Sequence, residues 1–199
     1  MRKLILQMQV SVDGYVGQAN RDPTWQLWDW GDKCPWDENL QTDFNRFFDE
    51  ADTILLSRKI VEGGYIDHWI ETAKKHPRAA TFAFAQRILA ARKIIFSKTL
   101  ETSPRPEAEL AKKPLVETVD ELKTQAGKNI VTFGGAGFAS ALIANDLVDE
   151  FQFYTNPIAL HEGLSIFAKK GIDQDLELIG ASPYSCGIVV ARYAPRGRA

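Results

Sequence analysis

Short apolar runs recur along the chain with helical patterns between them, and this alternation limits the possible folds more than any other feature. "LILQMQVS", "DTILLS", "RKIIFS" and "NIVTF" each read as a strand, rich in aliphatic residues and bounded by turn formers or charges. Between them, "DENLQTDFNRFFDEA" places Leu40, Phe44, Phe47 and Phe48 on one helical face. A short helix is expected to end at Gly63-Gly64, a second helical region precedes Pro77, and another lies near "FAFAQRILAA". "LVETV" is predicted as a strand, followed by a short helix around "DELKTQAG". "GFASALIAND" is predicted as a helix that turns Phe138, Leu142 and Ile143 toward the core. "VDEFQFYTN" returns to strand-like alternation, and "DQDLELIGASPYSCGIVVARYAP" is expected to close the chain with a hairpin or two neighbouring strands around Ser182-Pro183. The pattern predicts an α/β fold with a mixed, mostly parallel central sheet covered by helices, antiparallel only in its terminal portion. No linker or internal repeat interrupts it, so a single domain over residues 1–199 is expected.

Composition narrows the function classes. A chain of 199 residues with 45% hydrophobic and 25% charged content can bury a sizeable core. A formal charge of −2 argues against a broad basic surface for nucleic acid, though it permits a local anion site. The start "MRKLILQMQVSVDGYVG" lacks a long apolar core and a processing site, and no later run approaches a membrane span. A cytoplasmic protein is expected. Cys34 and Cys186 lie far apart and read as reduced thiols, while His68, His76 and His161 share no metal-ligand spacing. No metal is expected.

Two stretches stand out chemically. "DPTWQLWDWGDKCPW" holds four of the five tryptophans, broken by Asp, Gly and Pro, and reads as an ordered loop over a pocket. "NIVTFGGAGFASALIAND" sets three glycines between a strand and a helix. A helix N-terminus exposes unpaired N–H groups, and glycine lets an anion approach the backbone. Yet Ser140 stands where a dinucleotide fingerprint has its third glycine. From the pattern alone, a tight turn and an anion site are both open.

The segments "LILQMQVSVDGYVG", "ADTILLSRKIVEGG", "KIIFSKTL", "NIVTFGGAGFASALIANDLVDEFQFYTNPIAL" and "EGLSIF" occur in an order that resembles the dihydrofolate-reductase-like family. Within it, the chain is most similar to the C-terminal reductase domain of bacterial riboflavin biosynthesis enzymes. The resemblance implies a dihydrofolate-reductase-like three-layer α/β sandwich, an NADPH-dependent reductase acting on a small molecule, and a homodimer. It implies a pyrophosphate loop at Gly134, Gly135, Ala136, Gly137 and Phe138. It also brings Ser57 and Arg58 toward a cofactor phosphate, and Ser97 and Lys98 toward the adenosine end. Pyrimidine- or pterin-like substrates follow from the resemblance only.

Asp13, in "SVDG", matches the reductase motif and is the catalytic candidate, able to orient substrate or support proton delivery. An Asx-turn with Gly14 is the competing role. Trp36 offers a flat face to a planar substrate or nicotinamide, with Trp28 and Trp30 as alternatives. Tyr154 and Asn156, in "FYTNP", match a segment near the family's cleft. Two motifs depart from the family. "SRKI" has Ser57 for a glycine and Ile60 for a threonine, and "LHEG" has His161 for a glycine.

Overall fold

The computed structural model describes residues 1–18, 25–27, 35–167 and 173–197. In chain order its elements are β1 (Leu4–Ser11), α1 (Glu38–Asp49), β2 (Ala51–Ser57), α2 (Arg58–Glu62), α3 (Tyr65–Lys75), α4 (Ala83–Ala90), β3 (Arg92–Phe96), β4 (Glu109–Leu110), α5 (Leu115–Thr124), β5 (Asn129–Thr132), α6 (Ala136–Ala144), β6 (Glu150–Asn156), β7 (Leu176–Pro183) and β8 (Val189–Pro195). A single 3-10 turn at Ala80–Phe82 precedes α4. The architecture is an α/β sandwich with a mixed, mostly parallel sheet flanked by helices. The chain forms two compact units, Met1–Leu4 with Glu38–Gly135, and Ile5–Asp37 with Ala136–Ala199.

In the first unit the strand order is β4-β3-β2-β5, all parallel. Parallel strands joined by helices are covered on both faces, so they need continuous apolar runs. Ile54, Leu55, Leu56, Ile94, Ile95, Ile130 and Val131 supply them and are buried. The helices add an aromatic cluster. Phe44 meets Phe84 edge-on at 5.1 Å, and Trp69 meets Phe84 at 5.3 Å. Phe47, expected on the same face as Phe44, is only half-buried. Lys93 is buried in β3, where its ammonium donates to Leu89 O and Ala91 O at 2.8 Å and closes the C-terminus of α4. Burial lowers its pKa.

The second unit runs β1-β6-β8-β7. β1 and β6 are parallel, whereas β8 is antiparallel to both β6 and β7. The expected antiparallel terminal portion is therefore present. Its hairpin turns at Tyr184–Ile188, directly after Ser182-Pro183, and Pro183 still lies in register with Val189. In α6 the buried residues are Ala139, Ser140 and Leu142; Phe138 and Ile143, expected in the core, are half-buried.

One predicted strand is a helix. "LVETV" opens α5, because Val119 and Leu122 bury on one helical face with Leu115 one turn earlier. Pro114 sets the entry, and Lys113 pairs with Glu117 at 3.0 Å. The β-branched valines suited a strand locally, but the 3.6-residue period decided the outcome. The segment "KTLETSPRPEAELAKKP" contains the short strand β4.

Arg2 ties the start of the first unit together. Its guanidinium, with the side chain 6% exposed, donates to Asp52, to Thr53 Oγ1 at 2.6 Å and to Lys128 O. Asp52 also accepts from Lys128 N at 2.7 Å. Gly127 is required beside this clamp, since a Cβ there would stand 2.7 Å from Asp52 Oδ2 and 3.1 Å from Arg2 Cζ. Arg2→Ala would leave the buried Thr53 hydroxyl and the Lys128 carbonyl without their donor. A loss of about 1–3 kcal/mol in urea unfolding is expected, with a comparable loss for Gly127→Ala.

Candidate functional site

Parallel strands end on the same side, and in the first unit this gathers several of the predicted cofactor residues. Ser57 is in register with Phe96, and Leu55 with Thr132. Ser57, Ser97 and Gly134 therefore follow the carboxyl ends of three adjacent strands, the edge where open α/β sheets bind ligands. Thr132 Oγ1 donates to Leu55 O at 3.0 Å and locks β5 to β2 just before the glycines. Phe133 stacks between Phe48 at 5.7 Å and Tyr65 at 6.2 Å. Burial raises the Tyr65 phenol far above its ordinary pKa, so it stays neutral.

The glycines do different jobs. Gly134 has φ 106, a backbone region that side chains rarely adopt. At Gly135 a Cβ would meet only Ser57 Oγ at 3.7 Å and Ile60 Cγ1 at 4.0 Å, and at Gly137 nothing within 4 Å. Packing inside the chain therefore requires glycine at neither of these last two positions. Gly137 lies exposed in the first turn of α6, after Ala136, and Phe138 follows half-buried. Ser140, at the third-glycine position of a fingerprint, donates to Ile166 O at 2.6 Å and is structural.

The polar side chains at this edge are partly engaged. Ser57 caps α2, accepting from Ile60 N at 3.4 Å. Arg58 donates through Nη1 to both Glu62 oxygens, at 2.8 and 3.0 Å. Ser97 Oγ accepts from Thr99 N at 3.1 Å and Leu100 N at 3.0 Å, so it shapes its own turn. Lys98 is exposed.

In the second unit, Asp13 follows the carboxyl end of β1. It accepts from Ser11 Oγ at 2.6 Å, from Leu160 N at 3.0 Å and from His161 N at 2.7 Å. These donors, the Ser11 hydroxyl foremost and the two amides after it, lower its pKa to about 2. The group is an ionised acceptor at neutral pH, suited to holding a loop or orienting a donor and unsuited to delivering a proton. The His161 backbone is left-handed at φ 66, which accounts for the strain of having His where the resembling family has glycine.

The predicted substrate residues also come together. Trp36 and Tyr154, both buried, stack at 5.7 Å with planes 19° apart. Trp36 Nε1 donates to Leu27 O, and Leu27 N donates to Asn156 Oδ1 at 2.8 Å. Asn156 Nδ2 donates in turn to Gln9 Oε1 at 2.7 Å and Tyr154 O at 3.0 Å. Asn156 and Trp36 thus hold the backbone of Leu27 from both sides. Trp28 and Trp30 lie outside the described residues. Sequence reasoning missed Leu27, Gln9 and Glu62. Of these only Glu62 had a local signal, its four-residue spacing from Arg58. Among the described residues no group of His, Cys, Asp and Glu is arranged to hold a metal.

Two outcomes test the Asp13 loop. Asp13 is held ionised by donors that the unfolded chain lacks, so its contribution to stability is complete above about pH 3.8 and is lost as the pH falls through about 2. The difference in Tm between wild type and Asp13→Asn should therefore shrink across that window, read by circular dichroism. His161→Gly should be neutral to stabilising by up to about 1 kcal/mol in urea unfolding, because glycine relieves the left-handed backbone.

Comparison with known proteins agrees with the architecture. The sequence matches the family described as the RibD C-terminal domain over residues 2–190. Uncharacterized protein YyaP of Bacillus subtilis (strain 168) is 28% identical over 193 residues, covering 96% of this chain and 94% of its own. Among solved structures, a putative riboflavin biosynthesis protein from Shewanella sp. PV-4 superposes with a TM-score of 0.70 at 17% identity, covering 98% of this chain and 99% of its own. A pyrimidine reductase-like protein from Corynebacterium diphtheriae gives 0.61 at 15% identity, over 99% of this chain and 93% of its own. The diaminohydroxyphosphoribosylaminopyrimidine deaminase/5-amino-6-(5-phosphoribosylamino)uracil reductase of Thermotoga maritima gives 0.64 at 14% identity, but this chain spans only 56% of it. At these identities the structures speak to fold alone. The match across nearly the whole sequence makes the chain a member of the RibD C-terminal domain family.

Proposed function

We propose that the protein is an NADPH-dependent oxidoreductase that reduces a small pyrimidine-, pterin- or sugar-derived molecule. The observation that carries this reading is Gly135, which borders Ser57 at the carboxyl edge of β2 and β5 with room that the fold does not need filled. A pyrophosphate can approach a backbone of that kind closely, so the residues present fit the cofactor. Gly134, Gly135, Ala136, Gly137 and Phe138 would hold the pyrophosphate, Ser57 and Arg58 a phosphate, and Ser97 and Lys98 the adenosine end. NADPH, when bound, supplies the hydride.

The protein's own groups align the partners. Trp36 and Tyr154 stack on each other in the interior, and Asn156 fixes the backbone of Leu27 that Trp36 also holds. Asp13 remains an anion that positions the loop at 160–161 or a substrate donor. The proton that accompanies the hydride then comes from solvent or from another acid. Among substrates of this class, a ribosylaminopyrimidine such as 5-amino-6-(5-phosphoribosylamino)uracil suits the reading, since the Thermotoga maritima protein of similar fold is described as a reductase of that compound. We further infer that the chain works as one domain in a cytoplasmic homodimer, which light scattering on the purified protein tests. Among the described residues no helix is long and apolar enough to cross a membrane.

A second reading, a nucleotide-binding or protein-interaction domain without turnover, is favoured by how fully these side chains satisfy one another. Ser97 is consumed in its turn, and both polar atoms of Asn156 are occupied. Calorimetry with NADPH and NADH separates the cases when paired with turnover. NADPH binding with stereospecific oxidation by a pyrimidine or pterin supports the reductase; tight binding with no turnover across a substrate panel supports the second reading. Arg58→Ala should weaken NADPH binding roughly tenfold. Equal NADPH affinity in this variant removes Arg58 from the site.

A further inference from the structure

Every residue of β1 is buried except Gln9, and the direction in which its side-chain amide offers hydrogens follows from its neighbours. The oxygen and nitrogen of an amide are told apart by what they face. Asn156 is anchored by two backbone groups of fixed polarity. Leu27 N can only donate to it, at 2.8 Å, and Tyr154 O can only accept from it, at 3.0 Å. Asn156 therefore turns its oxygen to Leu27 and its nitrogen to Tyr154, and the other hydrogen on that nitrogen meets Gln9 at 2.7 Å. Gln9 must give its Oε1 to this contact. Its Nε2 makes no hydrogen bond among the described residues. Gln7, two residues earlier, shares this face of the sheet, since side chains alternate along a strand. It is 3% exposed, and its Nε2 has no partner among the described residues. Gln152, its neighbour in register on β6, gives its own amide hydrogen to Glu150 at 2.9 Å. A buried donor without an acceptor is costly. This face of β1 thus carries amide donors in excess of acceptors, close to the carboxyl end where open sheets take ligands.

We propose that Gln9 is a specificity-determining residue whose Nε2 donates to a ring carbonyl of the substrate, so that the site takes dioxo-heterocycles in preference to their amino-substituted analogues. The inference deepens the reductase reading and rests on its small-heterocycle substrate. A carbonyl oxygen accepts from Gln9 without disturbing Asn156. An exocyclic amino group at the same position sets a donor against a donor. The Gln9 amide cannot turn over to suit it without losing Asn156, whose own orientation the backbone holds. A polar group left opposed or unpaired in this way is how a site rejects a close analogue. Gln7 adds to the same preference, because its unmatched amide dipole favours an electronegative atom on this face.

Calorimetry on the full chain tests this with 5,6-diaminouracil and 2,4,5,6-tetraaminopyrimidine, rings that differ only in carrying carbonyl or amino groups at the same positions. Each is titrated, with and without NADPH, into wild type, Gln9→Glu and Gln9→Met. Wild type should bind the diaminouracil about tenfold more tightly than the tetraamino ring. Gln9→Glu keeps one oxygen toward Asn156 and turns a second outward, so the preference should reverse by about the same factor. Gln9→Met offers neither donor nor acceptor and should bring the two rings within about threefold of each other. The readout is a ratio within each protein, so a general loss of affinity does not imitate it. Thermal melts by circular dichroism show which variants are folded, and either one alone decides. An unchanged preference in a folded variant overturns the inference and leaves Gln9 as a buttress for Asn156. No preference in wild type overturns it too. Wild type that binds NADPH but neither ring also overturns it, while the NADPH reading stands. Reversal in a protein that does not bind NADPH supports the inference and removes that reading. Binding of neither NADPH nor either ring overturns both.

Discussion

Parallel strand pairing is the constraint from which the candidate site descends. Strands β2, β3 and β5 must each be followed by a crossover, and their shared direction sends every following residue to one edge. Ser57, Ser97 and Gly134 are neighbours in space for that reason, although about 40 residues of chain separate each from the next along the backbone path. The apolar runs that bury the strands thus also determine where polar chemistry can appear. The same rule operates in the second unit, where Ser11 is in register with Asn156 at the ends of β1 and β6.

The polar groups at these strand ends are mostly satisfied by the protein itself. Asp13 gathers a hydroxyl and two amides, Asn156 and Trp36 share the backbone of Leu27, and Arg58 grips Glu62. Such preorganisation holds side chains in place before a ligand arrives. Any ligand that bound beside one of these groups would exchange contacts with it, so its net binding energy would depend on differences between similar hydrogen bonds.

Much of the fold was legible because its signals are local. The four apolar runs, the phenylalanine face of α1 and the strand–glycine–helix order of 129–144 all follow from spacing along the chain. "LVETV" misled because valine favours strands, whereas its partners at Val119 and Leu122 belong to a longer helical period. The site was less legible for a different reason. Asp13 was visible in "SVDG", but its amide donors at Leu160 and His161 come from 147 and 148 residues away. Leu27 gave no cue, since it participates through backbone atoms that every residue possesses. The pairing of Arg58 with Glu62 was within reach, as helical spacing alone brings the two together.

Gly135 separates two demands that usually coincide. A glycine widens the unfolded ensemble and so disfavours folding by roughly 0.5–1 kcal/mol relative to alanine in regular structure. Where a neighbouring atom would collide with a methyl group, as at Gly127, that entropy is the unavoidable companion of close packing. At Gly135 a methyl would meet only ordinary van der Waals neighbours. Packing inside the chain therefore does not demand that this stretch of main chain be left bare.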